Sequence, residues 1–538
     1  MTSDVDVLIA GAGPSGLALA LQATAHGARV RIVERRVETF RPSRALIMHP
    51  RTLEVLRPLG VTGPLLERAN TAPAASLHLG ARVVTVRLDD LALTGTAFPH
   101  LTLVRQMDVE TVLSHALEER GIVVERGVEL VDASGDGDAA HATLRSPTGL
   151  ETMACGFVAG CDGPESTIRR VAGIDWRGAT YREEVVLADV ELDADLDRTC
   201  AHVVVGKPGL LFVFALGERA SWRLLATRWA GVDAPSFGQP GPPIDRAELQ
   251  ALLDDAGLAA RITDLAWSAH YAMQRRLATH YRQGRLFVVG DAAHASSPAG
   301  GQGMNTGIQD AANLGWKLAF ATSATDPAAL LDSYEHERRP VARQVLGLTH
   351  AGFWAEASRG PLPTLLRGVL APLGAPALPA LLGQRRLVAE VIRWVSQLRT
   401  AYPDSPLSVE GRPRLATGPR AGARLPDATV RASGTEVRLH ALLATPGVHV
   451  LLHRDAILPP HPDVGPHVNL HRITSTPGTG MVAVRPDGYI GFRCGIADVD
   501  QLSGWLARIG ALSTASVAAS QETDSRNGCE RPSWDAIP

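Results

Sequence analysis

Three glycines near the N-terminus carry the clearest chemical signal in this sequence. They form the segment GAGPSG at Gly11, Gly13 and Gly16, after the apolar run 5–10 and before a helical run that starts at Leu17. This order is typical of a strand–turn–helix unit that binds the pyrophosphate of a dinucleotide. The first glycine permits the tight turn, the second lets the phosphates approach the backbone, and the third lets helix and strand pack closely. The free N–H groups and partial positive charge of the helix N-terminus favour the phosphates.

A carboxylate lies where such a unit needs one. Glu34 ends the second predicted strand, residues 28–33, about 20 residues beyond the glycines. Its oxygens can accept hydrogen bonds from the hydroxyls of an adenosine ribose, and its charge repels a 2′-phosphate. The site therefore suits FAD or NAD better than NADP.

Two later segments have the same strand-then-turn pattern. The buried strand predicted at 157–160 precedes Asp162 and Gly163, and the strand at 285–289 precedes Gly290 and Asp291. Asp-Gly alone is usually only a turn. An aspartate at the carboxyl end of a parallel strand is nevertheless well placed to hydrogen-bond the hydroxyls of a ligand.

A glycine-rich segment follows Asp291 and leads into a helix from Ile308. Its backbone N–H groups and the helix dipole can point at an anion. His294, just before this segment, is a candidate base, but a histidine in this setting is more often packed or capping. The residues of the segment are Pro298, Gly300, Gly301, Gln302, Gly303, Met304, Asn305, Thr306 and Gly307.

Other elements complete the framework. Strand-like segments at 184–192, 200–205, 210–216 and 222–228 follow one another without helices, which indicates an antiparallel sheet inserted into an α/β framework. This sheet is either scaffold or a wall that shapes a substrate pocket over the cofactor. From about residue 426 a small α/β domain is predicted, with strands that include 437–443.

Composition excludes several classes of protein. The 538 residues are 45% hydrophobic and 20% charged with a formal net charge of −3, so no basic excess indicates a nucleic acid or an anionic membrane. The N-terminus lacks a basic signal-peptide region, and no apolar run reaches the ~18 residues of a membrane span. The five cysteines show neither CxxC nor metal-ligand spacing. A cytoplasmic protein without a metal is expected.

The glycine and aspartate motifs, taken together in this order and spacing, carry a family resemblance. The chain resembles the single-component FAD-dependent aromatic hydroxylases, the family of p-hydroxybenzoate and phenol hydroxylase, over residues 4–345. Its layout is closest to that of the bacterial aromatic-polyketide hydroxylases. The C-terminal segment, with Arg485-Pro486-Asp487-Gly488, resembles the thioredoxin-like third domain of such enzymes. Since the redox CxxC of thioredoxin is missing, we expect this domain to be structural.

The resemblance implies an α/β fold with three parts. A Rossmann-like FAD-binding domain is expected at 1–180 and 270–400. An antiparallel-sheet substrate domain is inserted at 181–269, with part of 75–106, and a thioredoxin-like domain covers 410–512. Residues 513–538 are Ser/Thr/Ala-rich and polar, which predicts a disordered tail.

The resemblance also implies cofactor contacts. Those for the ADP half are Gly11, Gly13, Ser15 and Gly16 at the pyrophosphate, Glu34 and Arg35 at the adenosine end, and Arg44 at the diphosphate. Those for the flavin half are Gln106 beside the ribityl chain or flavin, Asp291 on the ribityl chain, Pro298 near the flavin, and Gly301, Gly303, Met304 and Asn305 at the pyrimidine ring. Asp162 and Gly163 belong to a motif implicated in both FAD and NADPH binding.

The reaction implied is hydroxylation of a phenolic, polycyclic polyketide. NADPH or NADH reduces the flavin, and a C4a-hydroperoxide transfers oxygen from O₂ to the substrate. Baeyer–Villiger oxidation and epoxidation use the same cofactor and stay open, as does a flavoprotein without oxygenase activity. A flavin halogenase is disfavoured because no tryptophans form its Trp-x-Trp-x-Ile-Pro motif. No catalytic base is identified, and the chain is expected to be a monomer or homodimer.

Overall fold

The computed structural model forms two compact units. The first contains Met1–Gly315, Tyr334–Thr400 and Pro426–Ala428, and the second contains Trp316–Ser333, Ala401–Leu425 and Thr429–Pro538. The residues that the structure describes are 5–38, 46–71, 73–79, 82–88, 91, 93–135, 137–206, 209–215, 219–231, 239–356, 361–366, 376, 384–459 and 464–512.

A six-stranded sheet forms the base of the first unit. Its central strands are parallel and buried, as expected for short apolar runs covered by helices on both faces. Because these parallel strands run in one direction, their carboxyl ends meet at one edge of the sheet, and only the edge strand Arg282–Gln283 is antiparallel to its neighbour. The strands in spatial order are β17 (Arg282–Gln283), β18 (Leu286–Val288), β11 (Phe157–Gly160), β1 (Val7–Ala10), β2 (Val30–Glu34) and β7 (Glu125–Arg126).

An eight-stranded sheet is the second large element of this unit. Two strands of 18 residues each, β12 (Trp176–Asp193) and β16 (Arg261–Ala278), pair antiparallel near one edge of this sheet. The sequence pattern predicts an antiparallel sheet here but not β16, whose alternation is broken by the polar run QRR. The strands in spatial order are β19 (His294–Ala295), β16 (Arg261–Ala278), β12 (Trp176–Asp193), β15 (Trp222–Trp229), β14 (Gly209–Phe214), β13 (Cys200–Gly206), β4 (Ala74–Leu79) and β5 (Arg82–Arg87).

The two faces of this sheet have different environments. Successive side chains of a strand point to opposite faces. Val186 of β12 therefore packs in a cluster with Leu249, on the face covered by the helix Arg246–Ala256. Val185 and Leu187 pack on the opposite face with Ala299, which belongs to the glycine-rich segment. One face is thus structural, and the other meets the predicted site.

Smaller sheets and the helices complete the first unit. A three-stranded sheet contains β10 (Gly149–Cys155), β9 (Ala140–Ser146) and β8 (Glu129–Ser134), and a two-stranded sheet contains β3 (Ile47–Met48) and β6 (Thr102–Leu103). The helices in chain order are α1 (Pro14–Ala25), α2 (Pro50–Leu56), α3 (Thr62–Glu67), α4 (Gln106–Glu118), α5 (Thr167–Val171), α6 (Arg246–Ala256), α7 (Gln302–Phe320), α8 (Pro327–Glu356), α9 (Pro361–Leu365) and α10 (Arg385–Val395). Single 3₁₀ turns cover Arg57–Leu59, Gly290–Ala292, Ala299–Gly301 and Ala321–Ser323. The last residues of α7 and the first of α8 belong to the second unit.

The second unit is built on a mixed seven-stranded sheet, which is the sheet of the thioredoxin-like domain. Its core packs Trp505 and Leu506 of the closing helix against the central strands, and Trp505 donates to the carbonyl of Leu407 at 3.0 Å. The strands in spatial order are β20 (Val409–Glu410), β26 (Ile490–Cys494), β25 (Met481–Val484), β23 (Val448–His453), β24 (Val468–Ile473), β21 (Thr429–Ala432) and β22 (Thr435–Arg438), and the helices are α11 (Leu439–Leu442) and α12 (Val499–Ile509).

One strand prediction in this unit is wrong. The strand predicted at 437–443 ends at Arg438, and Leu439–Leu442 forms α11. An apolar run this short fits either element, and here the buried face of a single helical turn packs Leu439 against the core. Within the described ranges, no helix has both the length and the apolar character needed to cross a membrane.

Candidate dinucleotide site

The turn between β1 and α1 has room for a ligand at only one of its three glycines. A Cβ added at Gly11, where φ is +103°, would lie 2.3 Å from the carbonyl oxygen of Cys161. A Cβ added at Gly16 would lie 1.9 Å from the carbonyl oxygen of Gly11, whereas one added at Gly13 would meet nothing within 4 Å. Gly11 and Gly16 therefore keep the turn tight, and the space beside Gly13 is open to a pyrophosphate.

Glu34 is tied directly to this turn. Its Oε2 accepts a hydrogen bond from the N–H of Ala12 at 3.0 Å, and its Oε1 accepts from the N–H and Nε of Arg36 at 3.1 and 3.0 Å. Burial raises the pKa of Glu34, but the Ala12 hydrogen bond and the Arg36 charge outweigh burial and lower the pKa overall. An ionised carboxylate has about four acceptor positions, so it can also accept from ribose hydroxyls.

Three segments that are far apart in the chain converge on Ser15. A Cβ added at Gly290, just before Asp291, would lie 2.5 Å from Ser15 Oγ. A Cβ added at Gly307, in the first turns of α7, would lie 2.3 Å from the same oxygen. The β1–α1 turn, the Gly290-Asp291 turn and the N-terminal part of α7 therefore meet at the carboxyl edge of the parallel sheet.

One carboxylate oxygen of Asp162 is bound by the protein. Its Oδ2 accepts from the N–H groups of Thr167 and Ile168 at 2.7 and 3.2 Å and so caps α5. Burial raises its pKa despite the hydrogen bonds that it accepts. Gly163 follows with φ of +79° and with nothing within 4 Å of an added Cβ. The Asp162 carboxylate thus fixes this corner, and the open side lies at Gly163.

The glycine-rich segment ends as a helix N-terminus. Pro298 accepts from the N–H of Gly301 at 2.9 Å, and Gly300 and Gly301 have φ of +70° and +63°. Because α7 starts at Gln302, the N–H groups of Gly303 and Met304 have no partner within the helix. They and the helix dipole are available to an electronegative ligand edge.

The Asn305 side chain is fully used inside the protein. Its Oδ1 accepts from the N–H of His49 at 2.9 Å and from Oγ1 of Thr52 at 2.7 Å. Its Nδ2 donates to the carbonyls of Ile47 and Gly301 at 2.8 and 2.7 Å. All four hydrogen-bonding positions of the amide are thus occupied. Asn305 ties the β3–α2 segment to the Gly301 turn, and only its backbone can contact a ligand.

The remaining predicted contacts have different placements. Gln106 is buried at the start of α4, and its Nε2 donates to Glu110 Oε1 at 2.7 Å. Strand β6, just before it, pairs with β3, which places this segment beside Ile47. Arg35 is exposed, and its neighbour Arg36, which the motifs did not predict, is the partner of Glu34. Arg44 lies outside the described residues.

His294 is packed rather than placed as a base. Its Nε2 lies 2.7 Å from Asp310 Oδ2, and the other oxygen of Asp310 accepts from Arg338 Nε at 2.7 Å. Burial raises the pKa of Asp310, but the Arg338 and His294 charges outweigh burial and lower it overall. This buried cluster connects the Gly290-Asp291 turn to α7 and α8.

An aromatic wall faces the glycine-rich segment. We use this name for Phe212, Phe214, Tyr271 and Phe353, which all lie on the second face of the eight-stranded sheet or against it. Phe212 and Phe214 stack with ring centroids 5.6 Å apart at 15°.

The wall reaches both sides of the Gly301 turn. Phe212 packs in one cluster with Ile47, and Phe353 packs in another with Ala299. A Cβ added at Gly301 would lie 2.9 Å from Ile47 Cβ, so the turn and this residue are in close contact. The wall therefore begins where the predicted flavin-binding turn ends.

A polar pair lies beside the wall. Tyr181 Oη lies 3.2 Å from Nδ1 of His350, and its ring contacts Phe353 edge-on at 4.8 Å. Burial raises the pKa of Tyr181, whereas burial and the Arg275 charge lower the pKa of His350. A neutral imidazole of this kind can accept a proton through a hydroxyl.

Comparisons with known proteins identify the family of this chain. A family described as FAD binding domain matches residues 4–349, and one described as aromatic-ring hydroxylase, C-terminal, matches residues 418–511. The chain is 32% identical over 516 residues to 6-methylpretetramide 4-monooxygenase of Streptomyces rimosus, with 90% of each chain covered.

Solved structures give the same result. The anhydrotetracycline hydroxylase OxyS of Streptomyces rimosus superposes with a TM-score of 0.75 at 29% identity, covering 95% of this chain and all of that one. CabE, an aromatic hydroxylase from angucycline biosynthesis, superposes with a TM-score of 0.74 at 27% identity over the same shares.

Proposed function

The chain belongs to the FAD-binding-domain family of flavin-dependent aromatic-ring monooxygenases, and from this premise we propose that it hydroxylates a polycyclic phenol of the polyketide type. NADPH or NADH serves as the reductant and O₂ as the oxidant. Bound FAD supplies electron transfer and oxygen activation, and the protein supplies binding, orientation and exclusion of water.

The ADP half of FAD binds at the β1–α1 turn in this proposal. The pyrophosphate occupies the open space beside Gly13, where the N–H groups at the start of α1 face it. Ser15 and Gly16 complete the turn, and Glu34 accepts from the ribose hydroxyls. The same cofactor is also bordered, in this proposal, by Arg35, Arg44, Asp162 and Gly163.

The flavin half lies along the later turns. Asp291 hydrogen-bonds the ribityl chain, with Gln106 on the other side, and Pro298 borders the ring. The N–H groups of Gly303 and Met304 face the pyrimidine edge, and the helix dipole stabilises negative charge there. Because Gly301 has no side chain, the backbone of this turn can lie close to the flavin ring, and Asn305 holds the turn in place.

The single observation that carries the substrate assignment is the aromatic wall. It groups four aromatic side chains in the clusters that contain Ile47 and Ala299, next to the proposed flavin position. Planar aromatic rings of a substrate pack well against other aromatic rings. The names of the relatives, which refer to tetracycline and angucycline hydroxylases, support a substrate of several fused rings.

The Tyr181–His350 pair gives this surface a polar end. We assign to Tyr181 the hydrogen bond to a ring hydroxyl of the substrate, with neutral His350 as its proton acceptor. Withdrawing the hydroxyl proton makes the ring more electron-rich and hence more reactive toward an electrophilic oxygen.

The cysteines bear on the compartment in which the protein works. Free thiols at Cys155, Cys161, Cys200 and Cys494 fit a reducing cytoplasm.

The test compares two neighbouring residues of β14 that point to opposite faces. Phe212→Ala removes part of the wall and should raise KM for a polycyclic phenol about tenfold, with the affinity for FAD unchanged. Val213→Ala, on the structural face, should lower stability without raising KM. Equal effects of the two variants on KM would contradict the wall as the substrate surface. Purified protein that retains no FAD after mixing with it and removal of the unbound cofactor would contradict the cofactor assignment itself.

A further inference from the structure

The turn at the C-terminal end of α10, Val395-Ser396-Gln397, has an unusual backbone. Gln397 has φ of +58°, a left-handed conformation that costs free energy in residues with a side chain. Its side chain is nevertheless only 5% exposed. A strained conformation persists only where the surrounding contacts hold it, and such positions concentrate at functional sites. We call these three residues the 395–397 turn.

The first contact of this turn is with the N-terminal end of α7. Gln397 Nε2 donates to Thr306 Oγ1 at 3.0 Å and to Gln302 Oε1 at 3.3 Å. Gln302 Nε2 in turn donates to the carbonyl of Val395 at 2.6 Å. Two side chains, each almost completely buried, thus connect the turn to the first helical turns that carry Gly303 and Met304.

The second contact reaches the Gly300 turn through His49. His49 Nε2 lies 2.9 Å from the carbonyl of Gly300, which can only accept, so this nitrogen carries the proton. Its Nδ1 therefore accepts from Ser396 Oγ, 3.2 Å away. The His49 N–H donates to Asn305 Oδ1. Ser396 thus fixes the imidazole that holds the turn before α7.

The 395–397 turn is itself anchored. Ala389 of α10 is 2% exposed and packs with Leu91 and Leu93. Arg393, also on α10, donates to Thr94 Oγ1 at 2.9 Å. The turn therefore connects a fixed helix to the residues around the proposed pyrimidine edge of the flavin.

We propose that Gln397 and Ser396 are positioning residues for the flavin, which hold the N-terminus of α7 and the Gly300 turn at the position that the pyrimidine edge requires. This inference rests on the placement of FAD proposed above. The N–H groups of Gly303 and Met304 stabilise negative charge only when they point at it, and that charge increases on reduction. Loosening the turn should therefore weaken FAD binding and make the reduction potential of bound FAD more negative.

The test uses Gln397→Ala and Ser396→Ala in the full-length protein. FAD affinity is measured by fluorescence quenching, and the reduction potential is measured by dye-coupled titration. Gln397→Ala removes two hydrogen bonds and should weaken FAD binding about tenfold, with a negative shift in potential. Ser396→Ala removes one link and should weaken binding by a smaller factor in the same direction.

Gln397→Gly keeps the test decisive if the alanine variant does not fold. Glycine relieves the strain at positive φ but also removes the hydrogen bonds, so this variant should be more stable than Gln397→Ala and equally impaired toward FAD. The matched control is Ser433→Gly, which changes the other described non-glycine residue at positive φ, in the second unit. It should change neither quantity.

The outcomes separate this inference from the proposed function. Wild-type protein that binds FAD, with variants of unchanged affinity and potential, would overturn the role of the 395–397 turn alone. Wild-type protein that does not bind FAD would overturn the proposed site, and with it this inference.

Discussion

Glu34 Oε2 lies 3.0 Å from the backbone nitrogen of Ala12, so the carboxylate at the end of β2 is hydrogen-bonded to the turn that follows β1. One residue therefore fixes the shape of the turn and presents acceptors beside it. The second oxygen is held by Arg36, which keeps the group ionised and oriented.

Removing the Glu34 charge should weaken FAD binding with little effect on the fold. Glu34→Gln is isosteric but has only one acceptor oxygen and no charge for Arg36. Hydrogen bonds to charged groups contribute about 1.5–3 kcal/mol, so we expect about a ten- to hundredfold higher Kd for FAD. Titration of the apoprotein with FAD measures this change. Glu38→Gln, an exposed neighbour, is the control, and an equal effect of both substitutions would exclude a specific role for Glu34.

Two glycines of the same turn should respond differently to alanine. Gly13→Ala places a methyl group in open space at a backbone φ of −77°, so stability should be kept while FAD binding is lost. Gly11→Ala forces a Cβ to within 2.3 Å of the Cys161 carbonyl, so the protein itself should be destabilised. Thermal unfolding of the apoproteins and FAD titration separate the two effects. Normal FAD binding by Gly13→Ala would show that the pyrophosphate lies elsewhere.

His49 should make the stability depend on pH. Complete burial lowers its pKa from 6.5 to about 4, against a smaller opposite effect of the Gly300 hydrogen bond. Between these values the unfolded chain binds a proton that the folded chain does not, so stability is present above pH 6.5 and falls as the pH drops toward 4. The loss attributable to this group is on the order of 3 kcal/mol.

Urea unfolding at several pH values between 7 and 4 checks this expectation. His49→Gln cannot titrate, so its unfolding free energy should vary less with pH than that of the wild type. The difference between the two curves removes the contribution of the other histidines. Parallel curves would mean that His49 does not stay neutral in the folded protein.

His294 should matter for stability and not for proton transfer. It is 3% exposed and bound to Asp310, so His294→Gln should lower stability by about 1–3 kcal/mol. The pH profile of substrate-dependent NADPH oxidation should keep its shape. His280→Gln, at an exposed histidine, provides the comparison. Loss of one limb of the profile in His294→Gln alone would identify His294 as a base after all.

The motifs of the site could be found in the sequence because their constraints are local. Positions 11 and 16 must be glycine because a side chain there would clash with a backbone carbonyl. Both positions belong to one turn, so the requirement appears in the sequence as a fixed glycine spacing. Gly290 and Gly307 follow the same logic against Ser15, although their meeting depends on the parallel sheet. The order of the three segments then carried the family resemblance, and the run of strand-like segments without helices predicted the antiparallel sheet.

Contacts between side chains that are far apart in the chain could not be predicted from the sequence. Ser396 contacts His49 although 347 residues separate them in the chain, and nothing in the sequence around either residue predicts its partner. Asn305 was predicted to border the flavin, but its amide is fully satisfied by protein groups, which only the fold reveals. Arg36 rather than Arg35 pairs with Glu34 in the structure, because both its backbone N–H and its Nε donate to Glu34 Oε1, and two adjacent arginines give no sequence signal for which of them does so.

With FAD bound beside the aromatic wall, we expect the protein to insert one atom of O₂ into a polycyclic phenol. The most direct test of this expectation is turnover of the FAD-loaded protein with NADPH and a polycyclic phenol under oxygen-18 gas, followed by mass spectrometry of the product. We expect one oxygen-18 atom on a ring carbon for each NADPH consumed in coupled turnover. Substrate recovered without label, while FAD is bound and NADPH is oxidised, would contradict the assignment as an aromatic hydroxylase.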